Sequence, residues 1–219
     1  MLQIWLGNPR VLSCFRMFYR SFRHRQFVLL DVGCGNHGAT KAKRFFPDCE
    51  YWGIDRELYE TDEKDLALTY RRFELDLDRD DLSSVPEQAF DVILASHVIE
   101  HLQNGIRVIS ALCTKLKPGG VIYIEFPSTR SLGLPSVPGT LNFCDDPTHI
   151  RIYDVKDVAN ALLTNNVRII RAGTRRWVDH MIKGAIRLPA YLATRSPRTA
   201  GALWDLLGFA EYVFGVRTG

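Results

Sequence analysis

Three glycines, Gly33, Gly35 and Gly38, stand in the spacing Gly-x-Gly-x-x-Gly and follow a carboxylate, Asp31. Glycines at such positions permit a tight turn and let a ligand approach the backbone, because no side chain lies between them. The apolar run at residues 27–30 is typical of a strand buried on both faces. The segment therefore indicates a loop that receives a nucleotide cofactor, with an acid at its entrance.

Two further acids could bind the same cofactor, because each follows an apolar run. Asp55 comes after residues 51–54, and Asp76 comes after residues 72–75. Asp55 also lies 22 residues after Gly33. An acid about 20 residues past a glycine loop accepts hydrogen bonds from a ribose diol in nucleotide-binding sheets. We therefore predict that Asp55 binds a ribose; a carboxylate that only closes a turn is the alternative.

Histidines that could serve as a base or as metal ligands occur after the run at residues 90–95. We predict that Ser96 caps a helix there. His97, Glu100 and His101 then stand at i, i+3 and i+4 and share one helix face. That arrangement suits three ligands, or a base with a carboxylate that orients it.

A second histidine lies in the acidic segment at residues 145–151. The segment follows a predicted strand, so it should lie over the reacting end of the cofactor. We predict that His149 is a general base and that Arg151 anchors the acceptor. The alternative is that Asp146 and Thr148 cap a turn while His149 only packs.

Strands and helices must alternate to place these residues at one edge of a sheet. Strands are predicted at residues 27–30, 51–54, 72–75, 90–95, 121–126, 167–170 and 210–216. Helices are predicted near residues 38–46 and 154–163, and Lys-Pro-Gly-Gly at 117–120 predicts a turn. The alternation indicates an α/β fold with a doubly wound, mostly parallel sheet of seven strands. Such sheets bind ligands at the carboxyl ends of their strands.

In this order the motifs resemble those of the class I S-adenosylmethionine-dependent methyltransferases, in particular the type 11 and type 23 groups. The resemblance is carried by residues 31–35, 55, 76–77, 90–93, 100–102 and 116–120. It covers about residues 27–126 and implies the Rossmann-like methyltransferase fold with an antiparallel seventh strand. It also implies S-adenosylmethionine as the cofactor and S-adenosylhomocysteine as the product.

The resemblance assigns roles to the acids. It implies that Asp31 approaches the amino group of the cofactor, and that Asp76, or Asp78 in its place, accepts from the adenine amino group. The implied cofactor-binding set is Asp31, Gly33, Cys34, Gly35, Gly38, Asp55, Arg56, Asp76, Leu77, Ser96 and His97. A dinucleotide enzyme usually has an apolar residue in place of Asp31 and receives a pyrophosphate at the loop. A nicotinamide-dependent oxidoreductase is therefore the second choice.

The implied activity is methyl transfer to an oxygen of the acceptor, with His149 and His101 as the catalytic residues. Some relatives that methylate hydroxyls hold a divalent metal with a Glu-x-x-Glu-His pattern. This chain has His97 where the first Glu of that pattern stands. A divalent metal is therefore possible but not favoured, and no metal site is predicted. A non-catalytic domain that binds a partner or a membrane is a third reading.

Basic residues are concentrated at the two ends of the chain, which has a net charge of +3. Residues 1–30 contain five arginines and no acid. We predict an N-terminal amphipathic helix within residues 1–26, spanning about residues 10–22, with a targeting segment as the alternative. Its inward face is predicted to contain Val11, Leu12, Phe15, Phe18 and Tyr19. Residues 27–219 then form the methyltransferase domain, with a basic and apolar insert at about 175–208.

The composition of the insert indicates which class of acceptor the chain could bind. Lys183 and Arg187 stand among apolar residues there, a combination that suits an anionic amphiphile or a membrane surface. A helical lid on the domain is the alternative. We predict a small-molecule, glycan or lipid-linked acceptor, since residues 145–151 also resemble a segment of sugar and cell-envelope methyltransferases.

Nucleic acid is not favoured as a partner, because the net charge of +3 is small. The five cysteines form no Cys-x-x-Cys pair, and no apolar run is long enough to span a bilayer. We therefore expect a cytoplasmic protein, with peripheral membrane contact as an option.

Overall fold

The computed structural model describes residues 11–57, 63–136, 141–194, 196 and 200–219. The strands are β1 (Phe27–Val32), β2 (Cys49–Asp55), β3 (Arg71–Glu74), β4 (Phe90–Ser96), β5 (Leu116–Pro127), β6 (Val167–Thr174) and β7 (Ala210–Arg217). The α-helices are α1 (Tyr19–Phe22), α2 (Gly38–Phe45), α3 (Glu63–Leu68), α4 (Gly105–Lys115), α5 (Val155–Thr164), α6 (Val178–Thr194) and α7 (Trp204–Leu207).

All seven strands belong to one sheet, in the order β3-β2-β1-β4-β5-β7-β6. The pairs from β3 to β5 are parallel, and β7 is antiparallel to both β5 and β6. The predicted doubly wound sheet with an antiparallel seventh strand is confirmed. The chain order reverses between β1 and β4, and such a switch point opens a crevice at the carboxyl ends of the strands.

The sheet is covered on both faces, which explains the continuous apolar runs of its central strands. One face is mainly aliphatic: Ile93 of β4 packs there with Ile109 and Leu112 of α4. The other face is rich in aromatic rings contributed by the chain before β1, by α2 and by the sheet. Phe18 stacks on Phe46 there, with ring centroids 5.5 Å apart.

The N-terminal segment differs from the single amphipathic helix that we predicted. Residues 11–26 contain a short 3-10 helix, Ser13–Phe15, and the four-residue helix α1. Val11, Phe15 and Phe18 are buried as expected, but Leu12 is 41% exposed. The cause is the break between the two short helices, which removes the regular 3.6-residue period on which the predicted face relied. The first ten residues of the predicted unit lie outside the described residues.

The insert between β6 and β7 consists mainly of α6. Gly184 is buried in this helix, and a Cβ atom there would lie 2.7 Å from the carbonyl oxygen of Ala202, so the helix packs closely on its neighbours. The predicted insert residues Arg195, Pro197 and Arg198 lie outside the described residues. Within the described ranges, no helix is long and apolar enough to cross a membrane.

The predicted turn at residues 117–120 is instead part of β5. Leu116 pairs with Phe90, and the next pair joins Val121 to Val92, so β5 advances five residues while β4 advances two. Gly119 has a φ of 79°, a left-handed conformation at this bulge that glycine adopts without backbone strain.

Candidate active site

The glycine loop is attached to the end of β2. The backbone N–H groups of Gly33 and Cys34 donate to the carbonyl of Ile54, at 2.8 and 3.1 Å. The N–H of Gly35 donates to Oδ2 of Asp55 at 2.7 Å. Gly33 and Gly35 have φ values of 70° and 52°, a left-handed conformation that glycine adopts without the strain that a Cβ atom adds.

The three glycines have different surroundings. A Cβ atom on Gly33 would lie 2.5 Å from Cγ2 of Val98, and one on Gly38 would lie 2.1 Å from Oη of Tyr51. A Cβ atom on Gly35 would meet no heavy atom within 4 Å. Packing therefore requires the first and third glycines, while the middle one faces open space above the loop. That space fits a cofactor that approaches the backbone.

Asp31 lies in β1 directly before the loop and is half-buried. Its carboxylate accepts a hydrogen bond of 2.8 Å from the hydroxyl of Tyr51 on β2. Burial raises the pKa of Asp31 to about 6, and the Tyr51 hydrogen bond offsets only part of that rise. Because desolvation penalises its charged form, this carboxylate is stabilised by a cationic partner, such as the amino group implied by the family resemblance.

Asp55 is the last residue of β2. Its Oδ2 accepts from Gly35, and its Oδ1 accepts from the N–H of Arg56 at 2.8 Å. The exposed side chain of Arg56 pairs with Glu57 at 3.1 Å. The Asp55 carboxylate is thereby fixed beside the loop and retains lone pairs for a diol.

Asp76 follows β3, and the buried Leu77 comes next. Oδ1 of Asp76 accepts from the N–H of Asp78 at 3.0 Å. Asp78 uses its own carboxylate to accept from the N–H of Gln103 at 2.8 Å. Asp78 therefore fastens the segment after β4, and Asp76 remains the better candidate for contact with an adenine.

The predicted helix after Ser96 is wrong. Ser96 is the last residue of β4, His97 has a left-handed φ of 57°, and a 3-10 helix spans only Ile99–His101. The α-helix begins at Gly105, and the N-cap is Asn104, whose side chain accepts from the N–H of Arg107. Ser96 is therefore no cap. The positive φ at His97 breaks the helical period, so His97, Glu100 and His101 do not line one helix face.

His97 lies between two carboxylates. Its Nδ1 is 3.1 Å from Oε1 of Glu100, and its Nε2 is 3.1 Å from Oε1 of Glu125. Burial favours the neutral ring, but the hydrogen bonds to both carboxylates outweigh it and raise the pKa of His97 to about 9. The ring is therefore an imidazolium at neutral pH, with both nitrogens engaged.

A buried ionic network, which was not predicted from the sequence, contacts His97 through Glu125. Nη1 of Arg175 is 2.6 Å from Oε1 of Glu125, and its Nε is 2.8 Å from Oδ1 of Asp205. Burial would raise the pKa of Glu125, but Arg175 and His97 lower it to about 2. A usable signal existed in the sequence, because Glu125 interrupts the apolar run of β5.

The two predicted catalytic histidines come together. The ring centroids of His101 and His149 are 4.8 Å apart. They line a cleft of about 130 Å³ whose walls are His97, His101, Asn142, Asp146, His149, Trp204 and Phe209. Arg151, the predicted acceptor anchor, instead donates to the carbonyl of Gln103 at 2.8 Å.

Glu100 completes the arrangement. It is fully buried, and its backbone carbonyl accepts from the N–H groups of Ile150 and Arg151, which holds the acidic segment against the 3-10 helix. One donor atom each of Glu100, His101 and His149 lies within 4.8 Å of the others, so these three could hold a metal ion. The site thus joins a cofactor loop to a cleft that contains bases or ligands.

A family model described as a methyltransferase domain matches residues 15–172. The trans-aconitate 2-methyltransferase of Methylobacterium radiotolerans is 33% identical over 102 residues, which are 46% of this chain and 38% of that enzyme. The match therefore spans little more than a third of that relative's length.

Solved structures share the fold. An S-adenosylmethionine-dependent methyltransferase from Archaeoglobus fulgidus aligns with a TM-score of 0.61 at 19% identity, over 93% of this chain and 91% of its own. One from Mesorhizobium loti aligns with a TM-score of 0.59 at 17% identity, over 93% and 98%. The phosphoethanolamine N-methyltransferase 2 of Haemonchus contortus, in complex with S-adenosyl-L-methionine, aligns with a TM-score of 0.60 at 13% identity, over 93% and 52%.

The family match covers more than half of the chain, and the sheet order and the glycine loop agree with it. It decides against the nicotinamide-dependent alternative. The chain belongs to the methyltransferase domain family, within the class I S-adenosylmethionine-dependent methyltransferases.

Proposed function

We propose that the chain transfers a methyl group from S-adenosylmethionine to an oxygen atom of its acceptor. The observation that carries this proposal is the cleft beside the cofactor edge of the sheet, in which the Nε2 atom of His149 is available. A hydroxyl acceptor benefits from a group that removes its proton, whereas positioning alone suffices for many other acceptors.

The cofactor would be held by residues at the carboxyl ends of four strands. Asp31 would bind its amino group, Asp55 the ribose and Asp76 the adenine. Gly33, Cys34, Gly35 and Gly38 would form the cradle, with Arg56, Leu77, Ser96 and His97 around it. When bound, S-adenosylmethionine supplies an electrophilic methyl group, whose bond to sulfur breaks, with the electron pair left on sulfur, as the bond to the acceptor oxygen forms.

His149 is oriented to accept the proton of the acceptor. Its Nδ1 donates to the carbonyl of Phe143 at 2.8 Å, because a carbonyl can only accept. Nε2 then carries the lone pair, 4.0 Å from Oε1 of Glu100 and 3.8 Å from Oδ2 of Asp146. These carboxylates would stabilise the imidazolium that forms when the hydroxyl proton moves to Nε2. His101 would assist from the other side of the cleft.

The acceptor is proposed to be a small molecule, a glycan or a lipid-linked precursor. The relatives above are named for trans-aconitate and for phosphoethanolamine, which are both small and carry an acidic group. Trp204 and Phe209 form an apolar wall of the cleft, stacked at 4.4 Å between centroids, which would suit the apolar part of such a molecule.

The outer face of α6 favours an acceptor located at a membrane surface. Ile182, Ile186 and Leu192 are 56%, 73% and 66% exposed, and the exposed cations Lys183 and Arg187 stand among them. Apolar side chains flanked by cations bind the boundary of anionic bilayers. We therefore propose peripheral membrane contact, to be tested by sedimentation with phosphatidylglycerol vesicles. Ile186→Asp should abolish binding, and binding that survives this change would contradict the proposal.

The methyltransferase proposal is tested by isothermal titration with S-adenosylhomocysteine, followed by turnover on a panel of alcohols, sugars and lipid-linked sugars. We expect one site per chain and methyl ethers as products. Methylation on nitrogen would contradict the assignment to oxygen, and methylation on a carboxylate would contradict the role of His149 as a base, because an ionised carboxylate has no proton to remove. Binding of neither S-adenosylmethionine nor its product would favour the non-catalytic reading.

A further inference from the structure

We propose that Glu100, His101, His149 and Asp146 bind one divalent metal ion of the Mn²⁺, Co²⁺ or Zn²⁺ class in the cleft. Metal binding is inferred from these side chains alone, whereas its role in methyl transfer rests on the proposed function. The sequence did not favour a metal, because His97 stands where the metal-binding relatives have the first Glu of their Glu-x-x-Glu-His pattern. The cluster in the structure does not use that position, since both ring nitrogens of His97 contact carboxylates.

The first observation is an unpartnered buried oxygen. Glu100 is 0% exposed, and its Oε1 contacts His97, but its Oε2 has no hydrogen-bond partner. A buried carboxylate oxygen without a partner is costly, so native structures nearly always satisfy such an atom. The carboxylate lies beside the cleft, with its Oε1 4.0 Å from Nε2 of His149, so a cation bound between Glu100 and the histidines would satisfy Oε2 after a small rotation of the carboxylate.

The second observation is the orientation of the two imidazoles. Nδ1 of His149 donates to the carbonyl of Phe143. Nδ1 of His101 lies 3.2 Å from the carbonyl of Thr148 and 2.9 Å from its hydroxyl oxygen, which donates its own proton to Asp146. Both rings are thereby fixed with the proton on Nδ1, which leaves Nε2 as the lone-pair atom. Metal-binding histidines are usually held in this way by a carbonyl or carboxylate behind the ring.

Asp146 supplies a fourth oxygen. Its Oδ1 accepts from both the N–H and the hydroxyl of Thr148, at 2.8 and 2.6 Å. Its Oδ2 lies 3.8 Å from Nε2 of His149. One oxygen of Asp146 therefore fixes the side chain and the other faces the cleft.

The ligand types limit the identity of the ion. Two imidazoles with carboxylates suit first-row transition ions, whereas Mg²⁺ and Ca²⁺ prefer oxygen ligands. The donor atoms of Glu100, His101 and His149 lie within 4.8 Å of one another, and ligands around one ion are about 3 Å apart when each bond is about 2.1 Å. We therefore expect small side-chain rotations to close the site on the ion.

Such an ion would lower the pKa of an acceptor hydroxyl bound to it. With the ion bound, His149 would act as a ligand, and loss of the hydroxyl proton to solvent would replace the proton transfer to His149 that is proposed above for the chain without metal. The bonds made and broken at the methyl carbon stay the same. Removing the metal should reduce methyl transfer without affecting the affinity for S-adenosylhomocysteine.

The test is a titration of the chelator-treated full chain with CoCl₂, followed by visible absorption and calorimetry. We expect one Co²⁺ per chain, with absorption bands that report nitrogen ligands. Glu100→Gln, His101→Ala and His149→Ala should each weaken Co²⁺ binding at least tenfold. His24→Ala is the matched control, because His24 is exposed and lies before β1.

Binding of S-adenosylhomocysteine by each variant shows that it has folded. His101 is less buried than Glu100, so His101→Ala keeps the test decisive if Glu100→Gln does not fold. A chain that binds S-adenosylhomocysteine but no Co²⁺ would overturn the metal site and leave the proposed function standing. Co²⁺ binding that is unchanged in all three variants would overturn it as well. A wild-type chain that does not bind S-adenosylhomocysteine would contradict the proposed function and not the metal site.

Discussion

The backbone N–H of Gly35 donates a hydrogen bond of 2.7 Å to the carboxylate of Asp55, which joins the cofactor loop to the end of β2. Asp55 thus orders the loop, and we propose that its remaining lone pairs bind the ribose. We expect Asp55→Asn to weaken S-adenosylhomocysteine binding about 10- to 100-fold, because a hydrogen bond to a charged group is worth about 1.5–3 kcal/mol. Isothermal titration measures the change.

Glu57→Gln is the control for this substitution, since Glu57 lies two residues further on with a 58% exposed side chain. It should leave the affinity for S-adenosylhomocysteine unchanged. Equal affinities for Asp55→Asn and wild type would contradict the ribose assignment.

Gly35 and Gly119 offer a matched pair of substitutions. Both have a positive φ, of 52° and 79°, and a Cβ atom on either would meet no heavy atom within 4 Å. Alanine should therefore cost about 1–2 kcal/mol of unfolding free energy at each position, because only backbone strain is added. Gly35→Ala alone should also weaken S-adenosylhomocysteine binding at least tenfold, since its methyl group enters the cradle. Chemical denaturation and calorimetry separate the two effects.

The imidazolium of His97 should make stability depend on pH. The pKa of His97 is raised from 6.5 to about 9 in the folded chain, so its contribution is fully present below pH 6.5 and is lost as the pH rises through 9. We expect the unfolding free energy of the metal-free wild type to fall by up to about 3 kcal/mol over this range.

His97→Asn removes the charge at this position, and asparagine tolerates the left-handed φ. Urea denaturation at several pH values from 6 to 9.5 should show a flatter profile for this variant. Parallel profiles for wild type and variant would assign the pH dependence to other groups.

Arg16 anchors the N-terminal segment to α6. Its Nη1 and Nη2 donate to Oδ1 and Oδ2 of Asp179 at 2.6 and 2.9 Å, and its guanidinium lies 4.9 Å from the ring centroid of Trp177. Because the Arg16 side chain is 1% exposed, we expect Arg16→Ala to cost about 3 kcal/mol of unfolding free energy. Arg20→Ala, an exposed change on α1, should cost less than about 0.5 kcal/mol.

A double-mutant cycle with Asp179→Ala separates the ion pair from the packing of Arg16. The double variant should lose at least about 1 kcal/mol less than the sum of the single losses, because each single change leaves one charge unpaired. Strict additivity would assign the docking of the segment to its aromatic side chains alone.

The sheet and its cofactor edge followed from local patterns. Buried parallel strands are apolar throughout, and an acid after such a run, as at Asp55, marks the carboxyl end. Because β1, β2 and β3 are adjacent and parallel, their carboxyl ends lie at one edge of the sheet, as predicted. His101 and His149 were identified separately, and only the pairing of the acidic segment with Glu100 explains why they share a cleft.

Other parts of the structure depend on contacts between distant residues or on a single dihedral angle. Arg16 and Asp179 are 163 residues apart, and Arg175 and Glu125 are 50 apart. Hydrophobic periodicity in the sequence cannot predict contacts between residues that are so far apart in the chain. The helix expected after Ser96 is absent because His97 adopts a positive φ, which places its ring between two carboxylates and breaks the helical continuity. A spacing of i, i+3 and i+4 cannot distinguish that conformation from a helix.

The antiparallel insertion of β7 between β5 and β6 has a consequence for how the chain folds during synthesis. β5 is complete at Pro127, but the strand that pairs with its free edge begins only at Ala210. At about 5–20 residues per second, a ribosome takes roughly 4–17 s to add the intervening chain. Throughout that interval the growing polypeptide has an unpaired, apolar strand edge, which is a template for pairing with other chains. Nascent chains stalled before Ala210 should therefore depend most on chaperones.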